Sequence, residues 1–172
     1  MPTMPPEAAN RPKPRVPYAE NNFMDLPKPV VPKMENRKLL KGQKAIVTGA
    51  SSGIGRSIAL ALGHAGASVC VNYVAGEDKA QAMVDELRGH GHTAFSFRAD
   101  VSNETEVATM FEAVRDEFGT VDILVNNAGL QSDAPFDQMT LAHWNKVIGV
   151  NLTGQFLCAR EAVREFKRRG VR

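Results

Sequence analysis

The sequence predicts an α/β fold built on a doubly wound parallel sheet. Short apolar runs alternate with stretches of helical spacing between Gln43 and Arg169. A glycine-rich turn joins the first such run to the first helical stretch. The first three helical stretches close on glycines, Gly66, Gly91 and Gly119. Alternation at this spacing implies right-handed βαβ crossovers and a parallel sheet with helices on both faces.

The elements follow in order. Lys44-Ala45-Ile46-Val47-Thr48 is a short apolar run, the pattern of a strand buried on both faces. Ile54 to Ala65 has helical spacing, and Gly66 supplies a stop. Ser68 to Tyr73 is a second strand, Glu77 to His90 a second helix, Thr93 to Arg98 a third strand. Asn103 to Phe118 is a third helix, and Asp122 to Asn126 a fourth strand. Leu141 to Arg169 reads as one long helix, bent near Gly149 or Gly154. The doubly wound rule orders the strands 3-2-1-4. That leaves Ile123-Leu124-Val125 at an edge without the proline or lysine that usually blocks pairing. It also leaves Phe156, Leu157 and Val163 of the last helix without full cover.

The chain has 172 residues, enough for one domain with a sizeable core. Its net charge of +2 points to no particular partner. Nine of ten prolines fall within the first 32 residues, and residues 1–41 hold eight basic and four acidic side chains. Proline removes donors and fixes the backbone, so residues 1–41 read as a disordered, Pro-rich basic extension. Such an arm could also wrap an oligomer or serve a proline-recognising domain. No basic stripe with interleaved aromatics follows, so nucleic acid is not an expected partner. Cys70 and Cys158 sit in apolar runs, without metal-ligand spacing, and read as reduced core residues in a cytoplasmic setting. No metal site is expected. No apolar run approaches the roughly 18 residues of a membrane span, and no apolar signal region opens the chain.

Thr48-Gly49-Ala50-Ser51-Ser52-Gly53-Ile54-Gly55 spaces its glycines G-x-x-x-G-x-G between a strand and a helix. Glycine permits the tight turn, backbone approach to a ligand, and close helix–sheet packing. The new helix offers free N–H groups and the positive end of its dipole. An anion there gains roughly 0.3–1 kcal/mol at an exposed site. Diphosphate is the natural occupant, with hydroxyls from Ser51 and Ser52 as further donors. Arg56 follows Gly55 where a P-loop would need a Lys at different spacing, so ATPase chemistry is disfavoured.

Three further motifs make this pattern specific: Asp100-Val101 after the third strand, Asn126-Asn127-Ala128-Gly129 after the fourth, and Asn151 within Val150-Asn151-Leu152-Thr153-Gly154. In this order, from Lys41 to Arg172, they resemble the short-chain dehydrogenase/reductase family. Residues 42–172 would then be a partial, Rossmann-type dinucleotide-binding domain, truncated after the fourth strand and its long helix. Within the family, Trp144 to Ile148, Asn151 to Gly154 and Cys158 to Ala162 are similar to glucose 1-dehydrogenases.

The resemblance implies a nicotinamide dinucleotide as cofactor and a sugar or other small alcohol or carbonyl as substrate. Backbone from Gly49 and from Gly53, Ile54 and Gly55 would cradle the diphosphate. Asp100 would accept from the adenine amino group, with Val101 flanking the ring; a helix cap is the structural alternative for Asp100. Asn127, Ala128 and Gly129 would leave room for ribose and nicotinamide, or form a turn that stabilises the sheet. Asn151 would distort its helix and hold a water leading protons to a catalytic Lys; the alternative is an Asn bonded to its own backbone.

At the end of the second strand, where a carboxylate would favour NAD, stand Asn72 and Tyr73, and the resemblance places Tyr73 against the cofactor. No Arg stands beside them, and the pattern leans to NADP or dual use. The family's chemistry also uses a Ser and a Tyr-x-x-x-Lys, whose Lys lowers the Tyr pKa for general-base work. Four residues after Tyr18 is Asn22, and four after Tyr73 is Glu77. The expectation is therefore a truncated, inactive oxidoreductase, homo-oligomeric when complete. The alternatives are a stand-alone nucleotide-binding module or pseudoenzyme, and an assembly protein using its Pro-rich arm.

Overall fold

A computed structural model describes residues 38–170; the Pro-rich arm up to residue 37 lies outside the described residues. Four strands, β1 (Lys44–Val47), β2 (Ser68–Tyr73), β3 (Ala94–Arg98) and β4 (Ile123–Val125), form one sheet. All neighbours are parallel and the order is β3-β2-β1-β4, as the sequence predicts. Between them lie α1 (Gly53–His64), α2 (Glu77–Gly89) and α3 (Glu104–Phe118).

Side chains alternate across the strands and divide the core in two. Ala45 and Val47 of β1 and Val69, Val71 and Tyr73 of β2 face α1 and α2, against Ala59, Met83, Val84 and Leu87. Ile46 and Cys70 face the other way, against Met110, Phe111 and Val114 of α3 and Leu157, Cys158 and Ala162 of a later helix. Every residue of β2 is buried, so the apolar run Val69-Cys70-Val71 is explained by cover on both faces. Helix α3 starts where Asn103 accepts from the N–H groups of Thr105 and Glu106, and it stops at Gly119 with φ 84°.

The long final helix is interrupted over six residues. It runs as α4 (Leu141–Ile148), a π-helical segment from Gly149 to Gly154, and α5 (Gln155–Arg168). The sequence placed a bend at one glycine or the other; the distortion spans both. A π-turn widens the helix by one residue. Gly154 then lies so close to the β3–α3 loop that an added Cβ would meet Val101 Cγ2 at 2.7 Å. A short 3₁₀ turn, Phe136–Gln138, precedes α4 and has no counterpart in the sequence reading. Leu157, expected to lack cover, is 5 % exposed and belongs to the core, whereas Phe156 and Val163 are exposed as expected.

No helix among the described residues is long and apolar enough to cross a membrane. Strand β4 pairs with β1 on one side, and its three residues are half-buried. A groove of about 480 Å³ beside it is lined by Ile123, Leu124, Ala159, Ala162, Val163 and Phe166. An apolar strand edge is a template for further pairing. Sedimentation velocity is therefore expected to find mass rising with concentration. Burying an aliphatic side chain stabilises by roughly 1.5–3 kcal/mol, so Val163→Glu should weaken the association about tenfold or more. A wild-type chain that stays monomeric at every concentration would contradict this.

Candidate dinucleotide site

The turn after β1 is held by three polar side chains from three different segments. Thr48 and Asn72 are each 1 % exposed, and polar groups at that depth need partners. Thr48 Oγ1 accepts from the backbone N–H of Asn127 at 2.9 Å and of Ala128 at 3.0 Å, and donates to Val125 O. Asn127 answers: its Nδ2 donates to Thr48 O at 2.9 Å and to Gly49 O at 3.1 Å. Asn72, at the end of β2, accepts from Gly49 N at 3.2 Å through Oδ1 and donates to Ala99 O at 3.0 Å through Nδ2. One amide thus ties the glycine turn to the end of β3. Leaving any of these groups unpaired would cost about 1–3 kcal/mol.

The clasp shapes the space above α1. Gly55 packs against its floor: a Cβ there would overlap Asn127 Nδ2 and the carbonyl oxygen of Gly49. Gly53 is the opposite case. Its φ is +57°, and an added Cβ would meet nothing within 4 Å. At the N-cap of α1, Ser52 is extended and makes no side-chain cap bond, whereas Asn103 and Thr140 cap α3 and α4. The first N–H groups of α1 therefore have no cap from the Ser52 side chain, and the positive dipole end lies beside the open space at Gly53. Ile54 is 76 % exposed on the same rim.

Beside the turn, a cleft of about 470 Å³ runs along the carboxyl ends of the strands. Its walls include Gly49 and Asn72, Asp100 and Val101, and Ala128 and Gly129. Asp100 Oδ1 accepts from the backbone N–H and hydroxyl of Ser102, at 2.9 and 2.7 Å. Asp100 is not the cap of α3, because Asn103 is. Val101 turns its side chain into the core, leaving its backbone towards the cleft. Leu130, Asn145, Lys146 and Gly149 also line the cleft; the sequence reading gave none of them a place at the site, although Asn145 and Lys146 lie in the Trp144 to Ile148 stretch and Gly149 at the bend.

One expected residue, Tyr73, stands differently from the sequence reading. Tyr73 is 7 % exposed and lies in the α1–α2 core; Asn72 and Val74, not Tyr73, line the cleft. A strand's period of two explains it: consecutive residues face opposite sides. Burial, with the Glu77 carboxylate beside it, raises the Tyr73 phenol above its ordinary range, while Arg98 acts in the opposite sense. Asn151 sits in the π-helical segment, but it is not bonded to its own backbone. Its Oδ1 accepts from Leu130 N and its Nδ2 donates to Leu130 O, both at 2.9 Å. It pairs with that residue as a strand would, and so fixes the loop that follows Gly129.

Other groups are withdrawn from chemistry. Arg56 forms an ion pair with Glu86 of α2, which occupies the one base next to the glycine turn. Burial pushes the Cys158 thiol up to about 12, with Glu161 adding to the effect, and raises Cys70 further. Neither thiol is a nucleophile near neutral pH.

The family profile described as short chain dehydrogenase matches residues 43–171. The 3-oxoacyl-[acyl-carrier-protein] reductase FabG of Staphylococcus epidermidis is 44 % identical over 126 residues, 73 % of this chain and 52 % of that protein. Its Staphylococcus aureus counterpart is 43 % identical, over 73 % and 51 % of the two chains. A variant of a Serratia marcescens short-chain dehydrogenase/reductase superposes with a TM-score of 0.72 at 31 % identity, covering 74 % of this chain and 52 % of that one. A short chain dehydrogenase from Mycobacterium avium superposes with a TM-score of 0.72 at 34 % identity, covering 76 % and 48 %. This chain spans about half the length of the relatives it matches. The glycine turn, the Asp100 and Asn127 loops and the β3-β2-β1-β4 sheet thus lie within the matched residues, and the chain belongs to the short-chain dehydrogenase/reductase family.

Proposed function

We propose that this chain binds a nicotinamide dinucleotide along the carboxyl edge of its sheet and carries the cofactor half of a carbonyl–alcohol oxidoreductase. The observation that supports this most is the uncapped N-terminus of α1 behind Gly53, whose missing side chain leaves open space for a diphosphate. The backbone N–H groups from Gly53 to Gly55 would bind that anion, and the Ser51 and Ser52 hydroxyls would add donors. Asp100 would orient the adenine, with its Oδ1 already tethered by Ser102 so that the carboxylate cannot swing. Ala128 and Gly129 would give the ribose and nicotinamide room. Asn151 would hold the Leu130 loop against the cleft. When bound, the nicotinamide gives or takes a hydride.

The cofactor preference we propose is NADP(H) without exclusion of NAD(H). Asn72 occupies the place where a carboxylate would repel a 2′-phosphate, and its amide is spent on Gly49 and Ala99. No strong clamp for that phosphate is offered either, since Arg56 is held by Glu86. For the substrate, the FabG relatives at 43–44 % identity favour reduction of a 3-oxoacyl group over oxidation of a sugar. A cytoplasmic, homo-oligomeric enzyme would fit the buried, protonated cysteines and the apolar face of α5. A second reading, a binding module without catalysis, is favoured by one observation: the sequence holds no Tyr-x-x-x-Lys.

Two measurements test these readings. Calorimetry with NADPH should give weak binding that Gly53→Val abolishes, because a branched side chain would fill the anion space and oppose a φ of +57°. Gly89→Ala, at the end of α2 with nothing within 4 Å of its Cβ, should bind like wild type. Equal affinity for wild type and Gly53→Val would remove the turn from the site.

Turnover is the second. Losing general-base catalysis typically costs 10²–10⁴-fold, so this chain alone is expected to turn over neither a 3-oxoacyl thioester nor glucose with either cofactor. Activity above a no-protein control, lost in Asn151→Ala, would overturn that expectation.

A further inference from the structure

The end of the sheet opposite the cleft carries a cluster that the dinucleotide site does not use. Three of the chain's four histidines meet there. His64 is the last residue of α1, His90 caps the end of α2, and His92 follows just ahead of β3. The His64 ring centroid lies 5.1 Å from that of His90 and 5.0 Å from that of His92. His64 Nδ1 and His92 Nε2 are 3.1 Å apart.

The segment that brings these rings together is fixed by its backbone. His90 N donates to Glu86 O and Leu87 O, Gly91 N to Arg88 O, and His92 N to Leu87 O at 3.0 Å. Gly91 has φ +78°, which reverses the chain so that residues 90 and 92 both reach back towards α1.

A separation of 3.1 Å between two imidazole nitrogens admits two arrangements. One ring N–H can donate to the other nitrogen, or both lone pairs can face one metal ion. Two nitrogens at about 2.0–2.1 Å from a tetrahedral zinc lie about 3.3–3.4 Å apart, so the second arrangement needs only a few tenths of an ångström of movement. The surroundings favour a cation: α1 and α2 both end here, and helix C-termini carry partial negative charge. The Lys38 ammonium acts against a metal and limits its affinity. His64 and His90 are exposed, so an ion has a path in. Among the described residues no three donors already surround one point, so a third ligand requires the exposed His90 side chain to rotate.

We propose that His64 and His92, joined by His90 on rotation of its side chain, form a site for a divalent transition metal such as zinc. The ion would clamp the end of α1 to the turn between α2 and β3. It replaces bound water with imidazole nitrogens and releases any protons they carry, so its affinity falls as pH drops below neutral.

The test uses the full chain without an affinity tag, titrated with zinc and with nickel by calorimetry above neutral pH. Wild type should bind about one equivalent, and its unfolding temperature should rise with the metal. His64→Ala should bind at least tenfold more weakly and lose the thermal shift, and His92→Ala should do the same. His143→Ala, on α4, should match wild type. His64 is exposed, so its substitution leaves the core intact; far-ultraviolet circular dichroism of that variant checks this. Wild type that binds no more metal than His64→Ala would overturn the proposal, as would an equal loss in His143→Ala.

Discussion

The structure depends on the reciprocal bonding of Thr48 and Asn127. One hydroxyl accepts from two successive backbone N–H groups, and the amide of the residue that supplies the first returns to two successive carbonyls. Neither side chain has to touch a ligand for the site to need it. Without that exchange, the loop after β4 and the turn after β1 would be two unrelated loops at the sheet edge. Gly55 is the geometric complement, since any side chain there would occupy the space that the Asn127 amide takes. The open space at Gly53 is what remains once those positions are filled.

A second constraint acts from the other wall of the cleft. The π-helical segment is wide enough to carry Asn151 to the backbone of Leu130, and Gly154 lets the same segment lie against Val101. Loops after β3 and β4 are thereby braced by one stretch of helix. The capping pattern divides in the same sense. Helices α3 and α4 satisfy their own N-termini with Asn103 and Thr140, whereas α1 has no side-chain cap. Helix α2, behind Gly76, lacks a side-chain cap as well, so what sets α1 apart is the open space at Gly53 in front of its first turn.

Much of this was legible in the sequence. Strand order and the identity of every strand and long helix followed from apolar runs and glycine stops, because cover on both faces buries every residue of β2 and keeps Val69, Cys70 and Val71 an apolar run. The glycine turn was legible because its spacing between strand and helix has few other uses. Tyr73 was not, since at a strand's last residue nothing local says which of two neighbours faces the ligand. Leu157 was misread because the apolar face of α5 is wider than its covered stripe. Thr48 was passed over as the end of a strand, and Asn72 was noted only for lacking a carboxylate; their roles rest on partners far along the chain. The same holds for His64, His90 and His92, which no local spacing connects.

Distance along the chain has a consequence of its own. The bonds from Asn127 to Thr48 close a span of 79 residues, which holds α1, α2 and α3 complete, together with β2, β3 and β4. Closing a loop of that length costs entropy that nothing local returns until β4 lies beside β1. The binding surface therefore comes into existence at the closing step of assembly, not before. A chain in which the first three strands have formed has the glycine turn but not its floor. A ligand that recognises only the closed form draws the chain through that step, so occupancy and completion of the sheet become a single equilibrium.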